Sequence, residues 1–188
     1  MDDNQKEKLL SMLSEKRRKH TMGVRTTGRK LAEIYGADKE QVDIACIIHD
    51  LYRGKETEEL DRMIDELGID EKYKGNANLS HGKIAAEVAK RDIGITDTEI
   101  INAVAYHTTG RANMSLVEKI VFISDAIEPG RDYQGVEELR RIAPENIDKA
   151  CFMSLSGTVA FLKKQGVADI DEDTIKAVNS LVERGKSL

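Results

Sequence analysis

The stretch DKEQVDIACIIHD, residues 38–50, indicates how this chain folds. Asp38 followed by Gln41 resembles the capping box that begins a helix. Three apolar residues and a histidine then follow at the helical spacing i, i+3, i+4 and i+7, namely Val42, Ala45, Cys46 and His49. The pattern predicts a helix over residues 39–51 that carries the dyad His49-Asp50 at the end of its apolar face.

The same helix signals recur along the chain, whereas strand signals are nearly absent. Thr96 with Glu99 and Ser115 with Glu118 resemble further capping boxes. Glycines stand where helices are expected to end, at Gly36, Gly68 and Gly166. We predict an all-α fold with helices near residues 4–14, 17–35, 39–51, 56–67, 80–92, 97–107, 115–127, 134–142, 146–164 and 172–185.

Length and composition favour one helical domain and argue against several classes of protein. We predict a single domain over residues 1–188, with its core at about 17–165 and a C-terminal helix packing on it. Charged residues make up 34% of the chain and only two prolines interrupt it, which suits a mostly helical protein. The net charge of -5 argues against general binding to nucleic acid or to anionic membranes.

The chain also lacks the usual signals for export or membrane insertion. Its longest apolar run, Ile44–Ile48, is far shorter than the roughly 20 residues that span a bilayer. The first ten residues contain no apolar signal-peptide core. Two widely separated cysteines do not make a disulfide framework. We therefore expect a cytoplasmic protein, and the sequence leaves open whether it forms a homodimer.

Two histidines and two aspartates stand where a metal site would form. His49-Asp50 ends an apolar helix, and Asp125 ends the buried-looking run IVFISD. A buried carboxylate is costly without a partner, and a cation is a good one. With His20, these residues make a mixed nitrogen and oxygen set that suits a divalent transition metal with open water positions. A closed structural zinc site would favour cysteines instead.

The order H…HD…H…H…D, completed by His81 and His107, resembles the HD-domain metal-dependent phosphohydrolase superfamily. The segment YHTTGRANMSLVEKIVFISDAIEPGR, residues 106–131, resembles the signature of one branch, the YqeK-type symmetrical bis(5′-nucleosyl)-tetraphosphatases. The resemblance covers roughly residues 17–165. It implies an HD-domain helical bundle that cleaves diadenosine tetraphosphate in the middle to give two ADP, using iron or a similar ion.

Carried over residue by residue, the resemblance implies His20, His49, Asp50 and Asp125 as metal ligands. It leaves two roles for His81 and His107, either holding a second metal or contacting substrate phosphate. We favour phosphate contact with one tightly held metal. Histidine and carboxylate ligands also accept manganese, cobalt, nickel or zinc in place of iron.

The expected catalytic residues are Asp50, His81, His107 and Arg53. Many HD proteins have a lysine three positions after the dyad, where this chain has Arg53. The arginine keeps the cation and can hold phosphate through two hydrogen bonds, but it does not give up its proton at ordinary pH.

A nucleotide with four linked phosphates needs positive and polar groups around the metal. The candidates for substrate binding are His20, Arg53, His81, Lys83, His107, Thr109, Arg111, Asp125 and Arg131. The basic run Lys16–Lys19 reads as a solvated helix face. Two further functions stay open, namely another HD nucleotide phosphohydrolase (a nucleotidase or an alarmone pyrophosphohydrolase) and a regulator that binds metal and nucleotide without turnover.

Overall fold

The computed structural model describes residues 1–186, with side chains through residue 183, and all regular secondary structure in this part is helical. A short 3-10 turn covers Glu71–Tyr73. The α-helices are α1 Asp3–Ser11, α2 Glu15–Tyr35, α3 Lys39–Ile48, α4 Thr57–Leu67, α5 Ala77–Arg91, α6 Thr98–Ala105, α7 Leu116–Ile127, α8 Val136–Ile142, α9 Ile147–Lys164 and α10 Glu172–Lys186. The predicted all-α class is confirmed.

Helix α3 lies at the centre of the bundle. It packs against α2, α6 and α7, and Ile47 and Ile48 near its C-terminal end are fully buried. Most of its residues are apolar because the helix is covered on nearly every side. The dyad that follows α3 therefore emerges inside the molecule, where α2 and α7 can contribute further side chains.

The remaining helices extend this core. A smaller apolar cluster joins α4 to α5 through Leu60, Ile64 and Ile84. At the other end of the chain, α10 packs on α9, and its Ala177 and Leu181 belong to the main core. That the whole chain forms a single domain stays a prediction.

The ends of several helices test the capping residues that the sequence predicts. Ser115 and Glu118 form the predicted reciprocal capping box. The box predicted at Thr96 is wrong. The next residue, Asp97, caps α6 instead, and its carboxylate accepts a hydrogen bond from the Glu99 amide at 2.9 Å.

The box at Asp38 is half formed. Its carboxylate accepts from the amides of Glu40 and Gln41, but the Gln41 side chain donates instead to Asp97. Gly36 and Gly68 are the left-handed C-caps predicted for α2 and α4. Helix α9, by contrast, is capped by Gln165, one residue before the predicted glycine.

Helix α5 begins three residues earlier than predicted. The side chain of Asn76 accepts hydrogen bonds from the amides of Asn78 and Leu79, both at 3.2 Å, and so caps the helix there. His81 consequently lies one turn inside α5, whereas the predicted start at residue 80 would make it the second residue of the helix. Among the described residues, no helix combines the length and the apolar character needed to cross a membrane.

Candidate active site

All four histidines of the chain meet two aspartates at one place in the bundle. Asp50 is the centre of the cluster: its Oδ1 lies 3.2 Å from Nε2 of His81, and its Oδ2 lies 3.5 Å from Nε2 of His20. His49 Nε2 is 3.7 Å from the same Oδ2. Asp125 Oδ1, from α7, lies 3.0 Å from His20 Nε2. His107, from the segment that follows α6, completes the cluster with its Nε2 at 3.8 Å from Asp50 Oδ1. The six residues thus come from α2, α5, α7 and the ends of α3 and α6.

Each histidine uses its Nδ1 to contact an acceptor outside the cluster. Three of these acceptors are backbone carbonyl oxygens: Cys46 O at 2.7 Å from His49, Ala77 O at 3.0 Å from His81, and Val104 O at 2.8 Å from His107. A carbonyl oxygen only accepts, so each of these Nδ1 atoms must carry the hydrogen. The Nε2 lone pairs of the neutral rings then point into the cluster.

This arrangement of lone pairs and carboxylates calls for a positive charge. The Nε2 atoms of His20 and His49 are buried and have no hydrogen-bond partner, and carboxylate oxygens lie nearby. Lone pairs facing carboxylates repel unless a proton or a metal ion lies between them. The donor set therefore fits a divalent metal, with histidines oriented as metal-binding histidines commonly are.

Both aspartates are ionised at neutral pH. Burial alone would raise the pKa of Asp50, but the electrostatic influence of the neighbouring His49 and His81 rings holds that pKa well below its usual range. The pKa of Asp125 is likewise held low, since the influence of the adjacent His20 and His49 rings outweighs burial. The cluster therefore presents two negative charges to a bound cation.

The cluster contains two sets of three potential ligands that share Asp50. One set is His20, His49 and Asp50, and the other is Asp50, His81 and His107. In the second set the two Nε2 atoms lie 3.0 Å apart. Burial, with His81 adjacent, lowers the pKa of His107 to about 3, so His107 is neutral at physiological pH. The close contact therefore requires either a proton carried on His81 or a cation between the rings.

Gly82 makes room for this histidine pair. A Cβ atom at position 82 would lie 2.9 Å from Cε1 and 3.0 Å from Nδ1 of His107, closer than side chains normally approach. A glycine directly after His81 thus lets α5 pack against the His107 ring.

The sequence analysis missed two residues that contact the cluster from outside it. Arg17 donates from Nη1 to Asp50 Oδ2 at 2.8 Å, although its basic run reads as a solvated surface. Glu128 is buried and its Oε1 accepts from His20 Nδ1 at 3.1 Å. Each lies three positions from a predicted ligand on the same helix face or its extension, Arg17 before His20 and Glu128 after Asp125. That i, i+3 spacing is the signal that identifies them.

Glu128 is held in a space that two glycines create. A Cβ on Gly23 would lie 2.5 Å from Glu128 Oε2, and a Cβ on Gly130 would lie 2.9 Å from Oε1. The Gly130 amide donates to Oε2 at 2.6 Å. Both carboxylate oxygens are therefore occupied as acceptors, which fixes the hydrogen of His20 on Nδ1 and turns its Nε2 towards the aspartates.

A cavity of about 180 Å³ opens onto the cluster. Three arginines stand in its wall, of which Arg131 also pairs with Asp125. The residues that line it are Arg17, Asp50, Arg53, Asn78, His81, His107, Thr108, Asp125 and Arg131. Carboxylates at the base and arginines in the wall suit an anionic ligand that is bound together with a metal.

Four of the predicted substrate-binding residues do not line this cavity. His20 contacts the two aspartates of the cluster instead, and the other three are engaged elsewhere. Arg111 is held by two hydrogen bonds to Glu118, at 2.7 and 2.6 Å. Lys83 lies over the ring of Tyr106 and faces Asp173. Thr109 is buried and donates its hydroxyl hydrogen to the adjacent Gly110 carbonyl. Their side chains are engaged in packing neighbouring helices.

Comparison with known proteins supports the same interpretation. A family model described as the HD domain matches residues 17–130. The chain is 37% identical over 171 residues to a protein of Halalkalibacterium halodurans named bis(5′-nucleosyl)-tetraphosphatase, symmetrical, covering 90% of this chain and 91% of that one. It is 36% identical over 171 residues to the protein of the same name from Bacillus subtilis, again with 90% and 91% covered.

A solved structure has the same fold. It is described as a predicted HD superfamily hydrolase involved in NAD metabolism from Clostridium acetobutylicum. The two chains superpose with a TM-score of 0.89 at 40% sequence identity, and 97% of each chain is covered. The matched region of the family model includes each of the four histidines and both aspartates of the cluster.

Proposed function

This chain belongs to the HD-domain family and, within it, to the symmetrical bis(5′-nucleosyl)-tetraphosphatases, and from that premise we propose that it hydrolyses dinucleoside tetraphosphates. The main substrate is diadenosine tetraphosphate, which is cut at its central bridge to give two ADP. The observation that carries the proposal is the convergence of four histidine Nε2 atoms on Asp50 and Asp125 beneath a wall of arginines.

The proposed metal ligands are His20, His49, Asp50 and Asp125. Their support is the orientation of the rings, since each Nδ1 is occupied outside the cluster and each Nε2 faces the carboxylates. When bound, a divalent ion lowers the pKa of a coordinated water and withdraws charge from the phosphoryl group. We propose iron as this ion, with manganese, cobalt, nickel and zinc as the alternatives.

The arginines bind the phosphates. Arg17, Arg53 and Arg131 line the cavity and can neutralise a polyphosphate whose charge exceeds that of one metal ion. Hydrolysis breaks the bond between one central phosphorus and the bridging oxygen. The attacking water contributes its oxygen to one diphosphate, and one of its protons ends on the other. Arg53 holds phosphate and does not supply this proton, because a guanidinium keeps its own.

His81 and His107 are proposed to contact the phosphate on the leaving side. They line the cavity next to Asp50, and a proton carried on His81 satisfies the 3.0 Å contact between their Nε2 atoms. The set Asp50, His81 and His107 also fits a second ion. Metal analysis separates these arrangements, since one ion per chain is expected from the first and two from the second.

Product identity is the test of the proposed reaction. The iron-loaded protein should convert diadenosine tetraphosphate to ADP alone, as followed by anion-exchange chromatography. Formation of ATP with AMP would show asymmetric cleavage and refute the proposal. A panel containing mononucleotides and alarmones, run beside it, detects a nucleotidase or an alarmone pyrophosphohydrolase. Tight nucleotide binding with no product under iron, manganese and cobalt would identify a regulator instead.

We propose the cytoplasm as the location of this protein. The buried free thiols of Cys46 and Cys151 accord with a reducing compartment. The sequence leaves the choice between monomer and homodimer open, and sedimentation of the metal-loaded protein measures it directly.

A further inference from the structure

The catalytic cavity is too small for the whole proposed substrate. Its volume is about 180 Å³, whereas sites for drug-sized ligands span about 300–1,000 Å³. Three arginines in its wall suit phosphates, and it contains no aromatic residue other than the two histidines on which a base could stack. The nucleosides of a dinucleoside tetraphosphate must therefore lie outside this cavity.

A larger cleft of about 690 Å³ adjoins it. The cleft lies between α9 on one side and, on the other, α8 and the segment that joins it to α7. We call it the Tyr133–Phe161 cleft after its two aromatic residues. Arg131 lines both the catalytic cavity and this cleft. Ala126, directly after Asp125, also lines the cleft. A ligand whose phosphates lie against Arg131 can therefore extend into it.

The aromatic residues of the cleft are exposed and partly preorganised. Phe161 is 60% exposed and Tyr133 is 43% exposed, which places both among the large apolar side chains that the fold leaves uncovered. The Tyr133 hydroxyl donates to the Ala126 carbonyl at 2.9 Å, so its ring is held against the end of α7. Exposed rings of this kind bind nucleobases by stacking.

The catalytic cavity and the Tyr133–Phe161 cleft differ in charge, as the charged phosphates and the uncharged nucleoside of a nucleotide do. The catalytic cavity holds three arginines, whereas Arg131 and Glu138 are the charged residues lining the cleft. Polar side chains of Gln134, Ser154 and Thr158 supply neutral hydrogen-bonding groups there. An uncharged base and ribose fit the cleft, and the phosphates fit the cavity.

We infer that the Tyr133–Phe161 cleft binds one nucleoside of the substrate, with Arg131 contacting the diphosphate that joins it to the scissile bridge. The inference rests on the proposed function, since that function supplies the dinucleotide. It assigns base stacking to Phe161 and Tyr133, residues that lie outside the metal cluster.

Gly157 offers a way to fill the cleft without disturbing the fold. It lies within α9 and lines the cleft, and a Cβ there would meet nothing within 4 Å. Replacing a glycine inside a helix by leucine also favours the helix. The variant Gly157→Leu should therefore fold normally and occupy the cleft. Ala160→Leu adds the same side chain to an exposed position of α9 that does not line the cleft, and so serves as the matched control.

Steady-state kinetics with diadenosine tetraphosphate test the inference in the metal-loaded protein. Gly157→Leu and Phe161→Ala should each raise KM about tenfold or more, since stacking on an aromatic side chain contributes strongly to base binding. The value of kcat should change far less, because neither residue belongs to the metal cluster. Ala160→Leu should match the wild type. Unchanged KM in both cleft variants would overturn the inference.

A second measurement separates failure of the inference from failure of the proposed function. ADP and inorganic pyrophosphate are titrated into the metal-loaded wild type while the ring signals of Phe161 and Tyr133 are followed by NMR. ADP should shift both signals and pyrophosphate neither, whether or not the protein turns over diadenosine tetraphosphate. Absence of an ADP-specific shift would overturn the inference.

Sedimentation of Gly157→Leu tests whether the cleft is instead a contact between two copies of the chain. A variant that changes its sedimentation and keeps its ADP affinity would show such a contact and would also overturn the inference.

Discussion

Asp43 and Asp50 lie seven residues apart along α3 and just beyond it, and both are buried, yet their surroundings differ in kind. Asp43 contacts permanent cations: Arg25 donates to it twice at 3.0 Å, and Lys6 donates at 3.1 Å. Asp50 contacts one cation, Arg17, and otherwise faces histidine Nε2 atoms.

The comparison shows that burial of a carboxylate does not by itself indicate a ligand. The charge of Asp43 is neutralised by groups that stay protonated at every ordinary pH, so its role is to join α1 and α2 to α3. Asp50 instead faces the Nε2 atoms of rings whose Nδ1 hydrogens are donated to backbone carbonyls. A carboxylate in that setting binds a further cation, and this difference can be tested.

The largest effect is expected from Asp50→Asn. The variant removes the charge shared by both potential ligand sets, so metal should be lost and turnover should fall by about 10³-fold or more. Elemental analysis and ADP release measure the two outcomes. Retention of both metal and activity would contradict the site assignment.

The matched substitution Asp43→Asn should act on stability instead. It leaves Arg25 and Lys6 without their buried partner, which costs about 3–5 kcal/mol of unfolding free energy. Metal bound per folded chain should equal that of the wild type. Urea unfolding measures the stability and elemental analysis measures the bound metal. Loss of metal in Asp43→Asn would contradict the different roles assigned to the two aspartates.

A smaller effect is expected from Glu128→Gln. Glutamine keeps the size of the side chain but offers one acceptor where Glu128 uses two, to His20 Nδ1 and to the Gly130 amide. The His20 ring is then oriented less well, and metal affinity should fall about 10- to 100-fold. Calorimetric titration of the metal-free protein measures the affinity. An unchanged affinity would leave Glu128 with a packing role alone.

Acid should reduce the stabilisation that Asp43 gains from its ion pairs with Arg25 and Lys6. Arg25 and Lys6 outweigh burial and lower the pKa of Asp43 from its ordinary 3.8. A lowered pKa in the folded state means that the stabilisation is complete above 3.8 and is lost as pH falls through the folded-state pKa. Chemical unfolding at a series of acid pH values should show this loss in the wild type and a flatter dependence in Asp43→Asn. Parallel curves for the two proteins would contradict it.

The features of the fold that could be predicted were mostly helix ends, which depend on residues close together in the sequence. Ser115 with Glu118 marked the start of α7 because a capping box is completed within four residues. Signals one residue apart were harder to rank, and so Thr96 was predicted where Asp97 caps α6. The start of α5 was placed late for a similar reason, since Asn76 alone supplies its cap.

The roles of cationic residues depended on contacts that distant segments make. Arg17 and Arg111 both lie near predicted ligands in sequence, yet Arg17 reaches Asp50 while Arg111 is held by Glu118. No spacing rule distinguishes them, because each pairs with the carboxylate that packing brings within reach. The Tyr133–Phe161 cleft could not be predicted from the sequence either, since its walls come from α9 and from the region around α8, which are separate in the chain.

The sequence by itself determined that this protein is a helical bundle and that its four histidines and a His-Asp dyad are candidates for one site, since helical periodicity, end caps and short motifs act over a few residues. The tertiary structure alone decided which buried aspartate meets permanent cations and which meets histidine lone pairs. The physical reason is that a side chain's charge state and partners are set by the helices packed around it, and those helices come from residues far away in the chain.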